Sequence, residues 1–217
     1  MQTMRTYLSP IGFNSTTVTR PLLSTGVDTG DTIVLLRPDS GDDSRSDEAI
    51  TDVERLVREI EPEVTLETER IPVGDFEGAV RRCSDCILAA DGRRIVTLGG
   101  GARDVLIPFA IAAITHVQLL DRALFFSDID GTVDEWVLPR LTASVQGTTR
   151  DTLREIVDEP DGISIPNLTD RTARSKSTVT RHVTHLEERS VVETWTEGKT
   201  KYVKPTLTGE LLLRSES

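Results

Sequence analysis

The chain has 217 residues, enough for one or two domains that each bury a core. Its two cysteines are too few for a disulfide framework, and its longest apolar run, residues 105–114, contains a proline and is too short to span a bilayer. The net charge is −11 and the first residues are polar, so we expect a cytoplasmic protein with no signal peptide and no membrane partner.

Basic and acidic residues are spread unevenly along the chain. Residues 1–146 contain 14 arginines and no lysine against 24 acidic residues, whereas residues 147–217 contain 11 basic and 12 acidic residues, including all four lysines. This change predicts two domains, one over residues 1–142 and one over residues 147–217. The acidic, lysine-poor composition, rich in arginine and threonine, also resembles that of proteins from salt-in halophiles.

Strands and helices are predicted to alternate through the first domain. Short apolar runs predict strands, and apolar residues at helical spacing predict the helices between them. The predicted strands are residues 4–8, 31–37, 63–71, 95–98 and 122–127, and the predicted helices are residues 15–24, 47–60, 75–90 and 105–114. An Asp-Gly turn at residues 130–131 then predicts a terminal hairpin. This alternation is typical of a Rossmann-like α/β domain.

Two loops that follow predicted strands are expected to meet at one edge of the sheet and to bind a ligand with phosphates. Glycines allow a sharp turn and close approach of the backbone to a ligand, and a helix N-terminus after them favours an anion. Arg103 would add a cation at the same rim. The candidate ligand-binding residues are Ser9, Pro10, Ile11, Gly12, Phe13 and Asn14 in the first loop, and Thr97, Gly99, Gly100, Gly101, Ala102 and Arg103 in the second. The alternative is a glycine-rich β–α connection that binds nothing.

The second domain is predicted to be a winged helix-turn-helix. Its predicted helices are residues 149–157, 163–174 and 176–189, followed by strands at 191–195 and 202–205 and a closing helix at 207–213. In such a module the third helix enters the major groove of double-stranded DNA, while wing lysines contact phosphates. The candidate DNA-binding residues are Ser175, Lys176, Ser177, Thr178, Thr180, Arg181, His182, His185, Lys199, Lys201, Tyr202 and Lys204. The alternative is a small helical interaction domain with a solvated polar face.

Three further motifs are not expected to carry chemistry. Asp128 and Asp130 lie in a stretch that resembles the first motif of haloacid-dehalogenase phosphatases, but no second acidic pair follows in context, so we expect a hairpin turn. Cys83 and Cys86 lack a second pair of zinc ligands. Asp104 occupies the last position of a GxGxxG pattern, which disfavours a nicotinamide enzyme. We therefore predict no catalytic residues, no metal and no cofactor.

With both loops and the winged helix placed, the chain resembles archaeal regulators, here of a haloarchaeal type, that join a CARF (CRISPR-associated Rossmann fold) domain to a winged helix-turn-helix. The resemblance covers essentially the whole chain and depends on residues 9–13, residues 97–103 and the domain order. It implies a homodimer joined through the sensor domains. It also implies a pocket on the two-fold axis for a cyclic oligoadenylate, the tetra-adenylate, with residues 11–13 as one wall and residues 99–103 holding phosphates.

We therefore expect a ligand-responsive transcription regulator of CRISPR-cas genes rather than an enzyme. A ligand bound across the two-fold axis would change the spacing of the two recognition helices, so that ligand and DNA affinities are coupled. Two alternatives stay open. One is a regulator outside CRISPR loci whose α/β domain binds another ligand or only dimerises. The other is an enzyme, either a phosphatase using Asp128 and Asp130 or a nuclease of the bound cyclic nucleotide.

Overall fold

The computed structural model describes residues 4–39 and 44–215, and the chain divides into two compact units between Leu138 and Pro139. The sequence predicts a first domain ending at residue 142 and a second beginning at residue 147. In the structure, residues 139–146 are grouped with the second unit, and Val145 is buried in the core of that unit. Within the described ranges, no helix combines the length and the apolar character needed to cross a membrane.

The first unit alternates strands with helices, as the sequence predicts. Its strands are β1 (Arg5–Pro10), β2 (Thr32–Pro38), β3 (Thr65–Ile71), β4 (Arg93–Thr97), β5 (Leu120–Phe126) and β6 (Val133–Glu135). Its helices are α1 (Thr16–Thr25), α2 (Ser44–Ile60), α3 (Phe76–Ala89) and α4 (Arg103–Thr115). Across the described residues these strands form a sheet in the order β3-β2-β1-β4-β5-β6, parallel except for β6. The predicted Rossmann-like α/β fold is confirmed.

Alternation along the strands divides the core of the first unit between the two faces of the sheet. Successive residues of a strand point to opposite faces, so Tyr7 packs with residues of α1 and α2, and Leu8 packs with residues of α3 and α4. Leu35 and Leu36 of β2 divide in the same way. Helices therefore cover both faces, as parallel strands that are apolar on both sides require.

The first strand, β1, is longer than predicted. The sequence predicts that it ends at residue 8 and that Ser9 and Pro10 begin a loop, but both residues pair with β2. The N–H of Ile11 donates to the carbonyl of Leu36 at 2.9 Å, so an N–H on the alternate residue, Pro10, would point toward β4. Pairing with β4 has already ended at Leu8, so a proline without an N–H is tolerated there.

The second unit has the element order of a winged helix-turn-helix, and this prediction of the fold class is also confirmed. Its elements are α5 (Gly147–Val157), β7 (Ile163–Ser164), α6 (Ile165–Thr172), α7 (Lys176–Glu187), β8 (Val192–Glu197), β9 (Thr200–Pro205) and α8 (Leu207–Arg214). Over the described residues, the strands form an antiparallel sheet in the order β7-β9-β8, and the β8–β9 hairpin is the wing. The helices enclose a core that includes Leu153, Leu168 and Val183.

A short strand precedes α6, where the sequence predicts that a helix opens at residue 163. Ile163 and Ser164 instead pair with β9, so this part of the prediction is wrong. Ser164 has extended backbone angles, and its hydroxyl accepts the N–H of Asn167 at 3.3 Å, which makes it the N-cap of α6. Because an N-cap residue lies outside the helix that it caps, the helix begins two residues later than predicted.

Candidate ligand cleft and nucleic-acid interface

A cleft of about 320 Å³ opens in the first unit beyond the carboxyl ends of β1 and β4. These strands are neighbours, and the strand order reverses between them, with β2 and β3 on one side and β5 on the other. At such a point the loops leave neighbouring strands toward opposite faces of the sheet, which opens a crevice between them. The residues that line this cleft are Ile11, Gly12, Phe13, Asn14, Thr17, Pro38, Ser46, Gly100, Gly101, Ala102 and Asp128.

The three consecutive glycines let the β4 loop pass close to other elements. Gly101 has a φ of +97°, and a Cβ there would lie 2.6 Å from the Cβ of Pro10. A Cβ on Gly99 would lie 2.5 Å from the backbone nitrogen of Phe126, and one on Gly100 would overlap the side chain of Thr17. The glycines are therefore needed to seat the loop against β1, β5 and α1, whether or not a ligand is bound.

The structure brings part of the predicted ligand-binding set together at the cleft. Residues 11–14 and residues 100–102 line it. Ser9 and Thr97 do not, because both side chains are buried and their hydroxyls are hydrogen-bonded to each other between β1 and β4. Pro10 and Gly99 likewise pack within the fold rather than on the cleft wall.

Arg103 is not among the residues that line the cleft, although the sequence predicts that it supplies a cation at the rim. It is the first residue of α4 and is exposed, and it lines a separate cavity of about 240 Å³. Because α4 packs beside α3, this cavity is shared with Asp75 and Phe76 at the start of α3. In this chain Arg103 and the β4 glycines line different cavities.

The cleft also contains residues that the sequence reasoning missed. Ser46, in the first turn of α2, lines the cleft with only 3% of its surface exposed. Next to it, the guanidinium carbon of Arg45 lies 4.1 Å from the ring centre of Phe13. A signal for both was present, since every loop that follows a parallel strand ends at this same edge of the sheet, including the connection from β2 to α2.

Asp128 and Asp130 lie in the turn between β5 and β6. Asp130 accepts hydrogen bonds from the backbone N–H of Thr132 at 3.1 Å and from its hydroxyl at 2.9 Å. These bonds hold the pKa of the Asp130 carboxyl below its usual range, and the bond from the backbone N–H of Thr132 has the largest effect. β6 returns antiparallel to β5, so these contacts are those of the predicted hairpin turn. Asp128 is exposed and lines the cleft.

Cys83 and Cys86 are both buried on α3 and form no disulfide. Burial raises the pKa of the Cys83 thiol to about 12 and that of Cys86 to about 11, so both thiols stay protonated near neutral pH. In the described parts of the chain, no three His, Cys, Asp or Glu side chains are grouped closely enough to hold a metal ion.

In the second unit, α7 presents most of the predicted polar residues to solvent. Ser175 is the N-cap, and its hydroxyl accepts the N–H of Thr178 at 3.2 Å. Ser175, Lys176, Ser177, Thr180 and Arg181 are exposed, while Thr178 and His185 are half-buried. The exposed set places hydroxyl, ammonium and guanidinium donors at the N-terminal end and along one side of the helix.

His182 corrects the sequence prediction, which places it on the exposed face of this helix. It is only 4% exposed, and its Nδ1 lies 2.8 Å from the hydroxyl oxygen of Thr152. Val179 and Val183 lie on the same buried side of α7, so the imidazole fills part of the core. Burial is the main cause that lowers the pKa of His182. The exposed face of α7 is therefore formed without this side chain.

One lysine of the wing is exposed at the tip, and the other two are paired with carboxylates. Lys199 is exposed at the tip, beside Gly198. The ammonium groups of the other two lysines are paired with carboxylates, Lys201 with Glu187 at 3.3 Å and Lys204 with Glu193 at 2.7 Å. Tyr202 stacks on Trp195 across the hairpin, with ring centres 5.4 Å apart.

One family model matches this chain, and several solved structures are similar to it. The family model described as the Csa3 CRISPR-associated Rossmann-like domain matches residues 5–122. Csm6 of Enterococcus italicus, solved bound to cyclic hexa-2'-fluoro-hexa-dAMP, has a TM-score of 0.51 and 11% identity, covering 88% of this chain and 56% of that one. No curated protein sequence matches.

Two regulators are similar to a shorter part of the chain. MepR, a transcription regulator of the Staphylococcus aureus multidrug efflux pump MepA, has a TM-score of 0.31 and 18% identity, covering 33% of this chain and 55% of that one. MarR of Listeria monocytogenes has a TM-score of 0.29 and 25% identity, covering 32% and 49%. The chain spans about half the length of each of these solved structures.

Proposed function

Because this chain belongs to the family of the Csa3 CRISPR-associated Rossmann-like domain, we propose that it is a ligand-responsive transcription regulator of CRISPR-cas genes. Its first domain would bind a cyclic oligoadenylate and its second double-stranded DNA. The observation that carries the proposal is the cleft between the β1 and β4 loops, in a chain that also has a winged helix with an exposed, donor-bearing α7. The cyclic oligonucleotide bound to Csm6 supports the choice of ligand class.

A homodimer follows from the size of the proposed ligand. The cleft of about 320 Å³ is at the lower end of the range of about 300–1,000 Å³ for small-molecule pockets. A cyclic tetra-adenylate has four nucleotides around one ring and so needs more than one such cleft. Two chains related by a two-fold axis would offer two equivalent clefts to one ligand of matching symmetry.

The same symmetry connects the ligand to DNA. In a dimer, two copies of α7 would enter successive major grooves, with half-sites about 34–36 Å apart. A ligand that binds both clefts favours one angle between the first domains and so one spacing of the recognition helices. Ligand and operator affinities would then change each other by the same factor.

Calorimetric titration of the purified protein with cyclic tetra-adenylate at high KCl tests this proposal. We expect one ligand per two chains. Phe13→Ala should weaken binding by about 1–3 kcal/mol, which is the usual value of an aromatic contact to a base. Val137→Ala is the matched control, because Val137 is 92% exposed and lies outside the cleft lining.

The proposed ligand would be overturned if the titration gave no heat of binding and if cyclic tetra-adenylate did not compete with a labelled oligoadenylate. One observation then favours a second candidate, a regulator with a different ligand. Among the described residues that line the cleft, Asp128 is the charged one, and it is negative. A neutral or cationic ligand would be compatible with that charge.

A further inference from the structure

The charge of the residues that line the cleft does not complement the negative charge of the proposed ligand. Each phosphodiester of a cyclic oligoadenylate carries a negative charge, whereas the charged side chain among the described lining residues is Asp128. Arg103 lines the other cavity. If the proposed function holds, another part of the cleft must supply donors and positive charge for the phosphates.

Ser46 supplies one such donor. The side chain lines the cleft, yet its hydroxyl is buried and has no hydrogen-bond partner among the described residues. Burying a hydroxyl without a partner is unfavourable, and native proteins leave few of them unsatisfied. Ser46 also lies in the first turn of α2, a helix of 17 residues, where backbone N–H groups lack intrahelical acceptors and the helix dipole is positive.

Arg45 supplies the charge. Its guanidinium lies over the ring of Phe13, which is itself part of the cleft lining. A guanidinium stacked on a ring keeps its N–H groups directed outward in its own plane, where they can bind a phosphate. An arginine in the first turn of a helix opposes the helix dipole, and a bound anion would offset that cost.

We propose that Arg45 and Ser46, at the N-terminus of α2, form the anion-binding side of the cleft. The Ser46 hydroxyl donates to a phosphate oxygen of the ligand, and the Arg45 guanidinium pairs with a phosphate while it stays over Phe13. This inference depends on the proposed function for the identity of the ligand. It assigns the phosphates to α2 rather than to Arg103 of α4.

The test compares matched variants in the same titration with cyclic tetra-adenylate. We expect Ser46→Ala and Arg45→Gln each to weaken binding about tenfold or more, since hydrogen bonds to charged groups are among the stronger ones. Arg103→Gln, which removes another exposed arginine, should change affinity less than about twofold. Ser46→Ala should unfold at a temperature no lower than the unaltered protein without ligand, because the hydroxyl that it removes has no partner.

The outcomes separate this inference from the proposed function. If the unaltered protein binds the ligand, but Arg45→Gln and Ser46→Ala bind it equally well, the inference is overturned and the proposed function stands. If the unaltered protein does not bind it, the proposed function fails. In that case, a titration with inorganic phosphate, monitored by the amide ¹H–¹⁵N chemical shifts, tests the anion site. Saturable shifts at residues 45–47 that both variants abolish support it, and their absence overturns it.

Discussion

Ser9 and Thr97 show how side chains beside a binding loop can serve the fold. The sequence predicts that both contact the ligand, because both stand next to loops at the carboxyl edge of the sheet. In the structure their hydroxyls bond to each other beneath the cleft-lining residues, between β1 and β4. These strands carry the two loops, so the pair connects the loops at their base.

Replacement of Ser9 tests this role. Ser9→Ala should lower the free energy of unfolding by about 1–3 kcal/mol, because it leaves the buried Thr97 hydroxyl without its partner. The measurement is denaturant unfolding without ligand. The double variant Ser9→Ala/Thr97→Val should recover part of the loss, since it removes both polar groups. Unchanged stability together with a tenfold loss of ligand affinity would instead indicate a direct ligand contact.

His182 makes the stability of the second unit depend on pH. In the unfolded chain, His182 takes up a proton near the ordinary histidine pKa of 6.5. In the folded chain, burial lowers the pKa of His182, so protonation requires a lower pH. The stabilising effect of a neutral His182 is therefore complete above pH 6.5 and is lost as the pH falls below it.

We expect His182→Gln to reduce this decline in stability between pH 7.5 and pH 5.5. Unfolding can be followed by the fluorescence of Trp195 in a Trp136→Phe background, which limits the signal to the second unit. His185→Gln is the matched control on the same helix and should keep the decline. An equal pH dependence in both variants would contradict the assignment to His182.

At the scale of elements, the lysine at the tip of the wing and the lysine on its second strand differ in how readily each could pair with a DNA phosphate. The ammonium of Lys199 is exposed at the tip of the hairpin, while Lys204 is held by Glu193 on the neighbouring strand. A lysine that is already paired has to give up a carboxylate before it can neutralise a phosphate, and so gains less from it.

We therefore expect Lys199→Ala to weaken binding to a selected DNA duplex and to reduce the slope of log affinity against log salt by about one. Lys204→Ala, the matched control, should have a smaller effect on both quantities. Fluorescence anisotropy at several KCl concentrations measures them. A larger effect of Lys204→Ala would show that its ion pair with Glu193 opens on the DNA.

At the scale of the whole molecule, the net charge of −11 works against binding to a polyanion. The acidic excess is concentrated in residues 1–146, and residues 171–204 carry eight basic and four acidic residues. DNA affinity should therefore depend on base contacts from α7 and on the joint binding of two chains more than on release of counterions.

We therefore expect an unusually shallow dependence of DNA affinity on salt. A protein that contacts 6–10 phosphates ordinarily loses about 10³–10⁵ in affinity between 50 and 200 mM salt. Cations taken up by the acidic surface on binding would oppose that loss, so we expect less than about a tenfold change over the same range of KCl. A steep conventional loss would contradict it.

Much of this molecule can be predicted from the sequence because its signals are local. The β/α alternation of the first unit and the order of helices and wing in the second are periodic patterns of apolar residues, and both folds are confirmed. The loops at residues 11–14 and 100–102 could be assigned to one cleft because parallel strands place their following loops at the same edge.

Other features depend on which elements pack together. His182 lies three residues after Val179 and four before Leu186, on the apolar side of α7, but the hydrogen bond to Thr152 of α5 that satisfies this buried polar side chain is not visible in the sequence. Arg103 lies two residues after Gly101 in the chain, but in the structure it lines a cavity beside the start of α3. Ser46 is distant in sequence from both predicted loops and reaches the cleft through α2. Periodicity determines which face of an element is apolar, whereas the direction of a single polar side chain is decided by contacts between residues far apart in the chain.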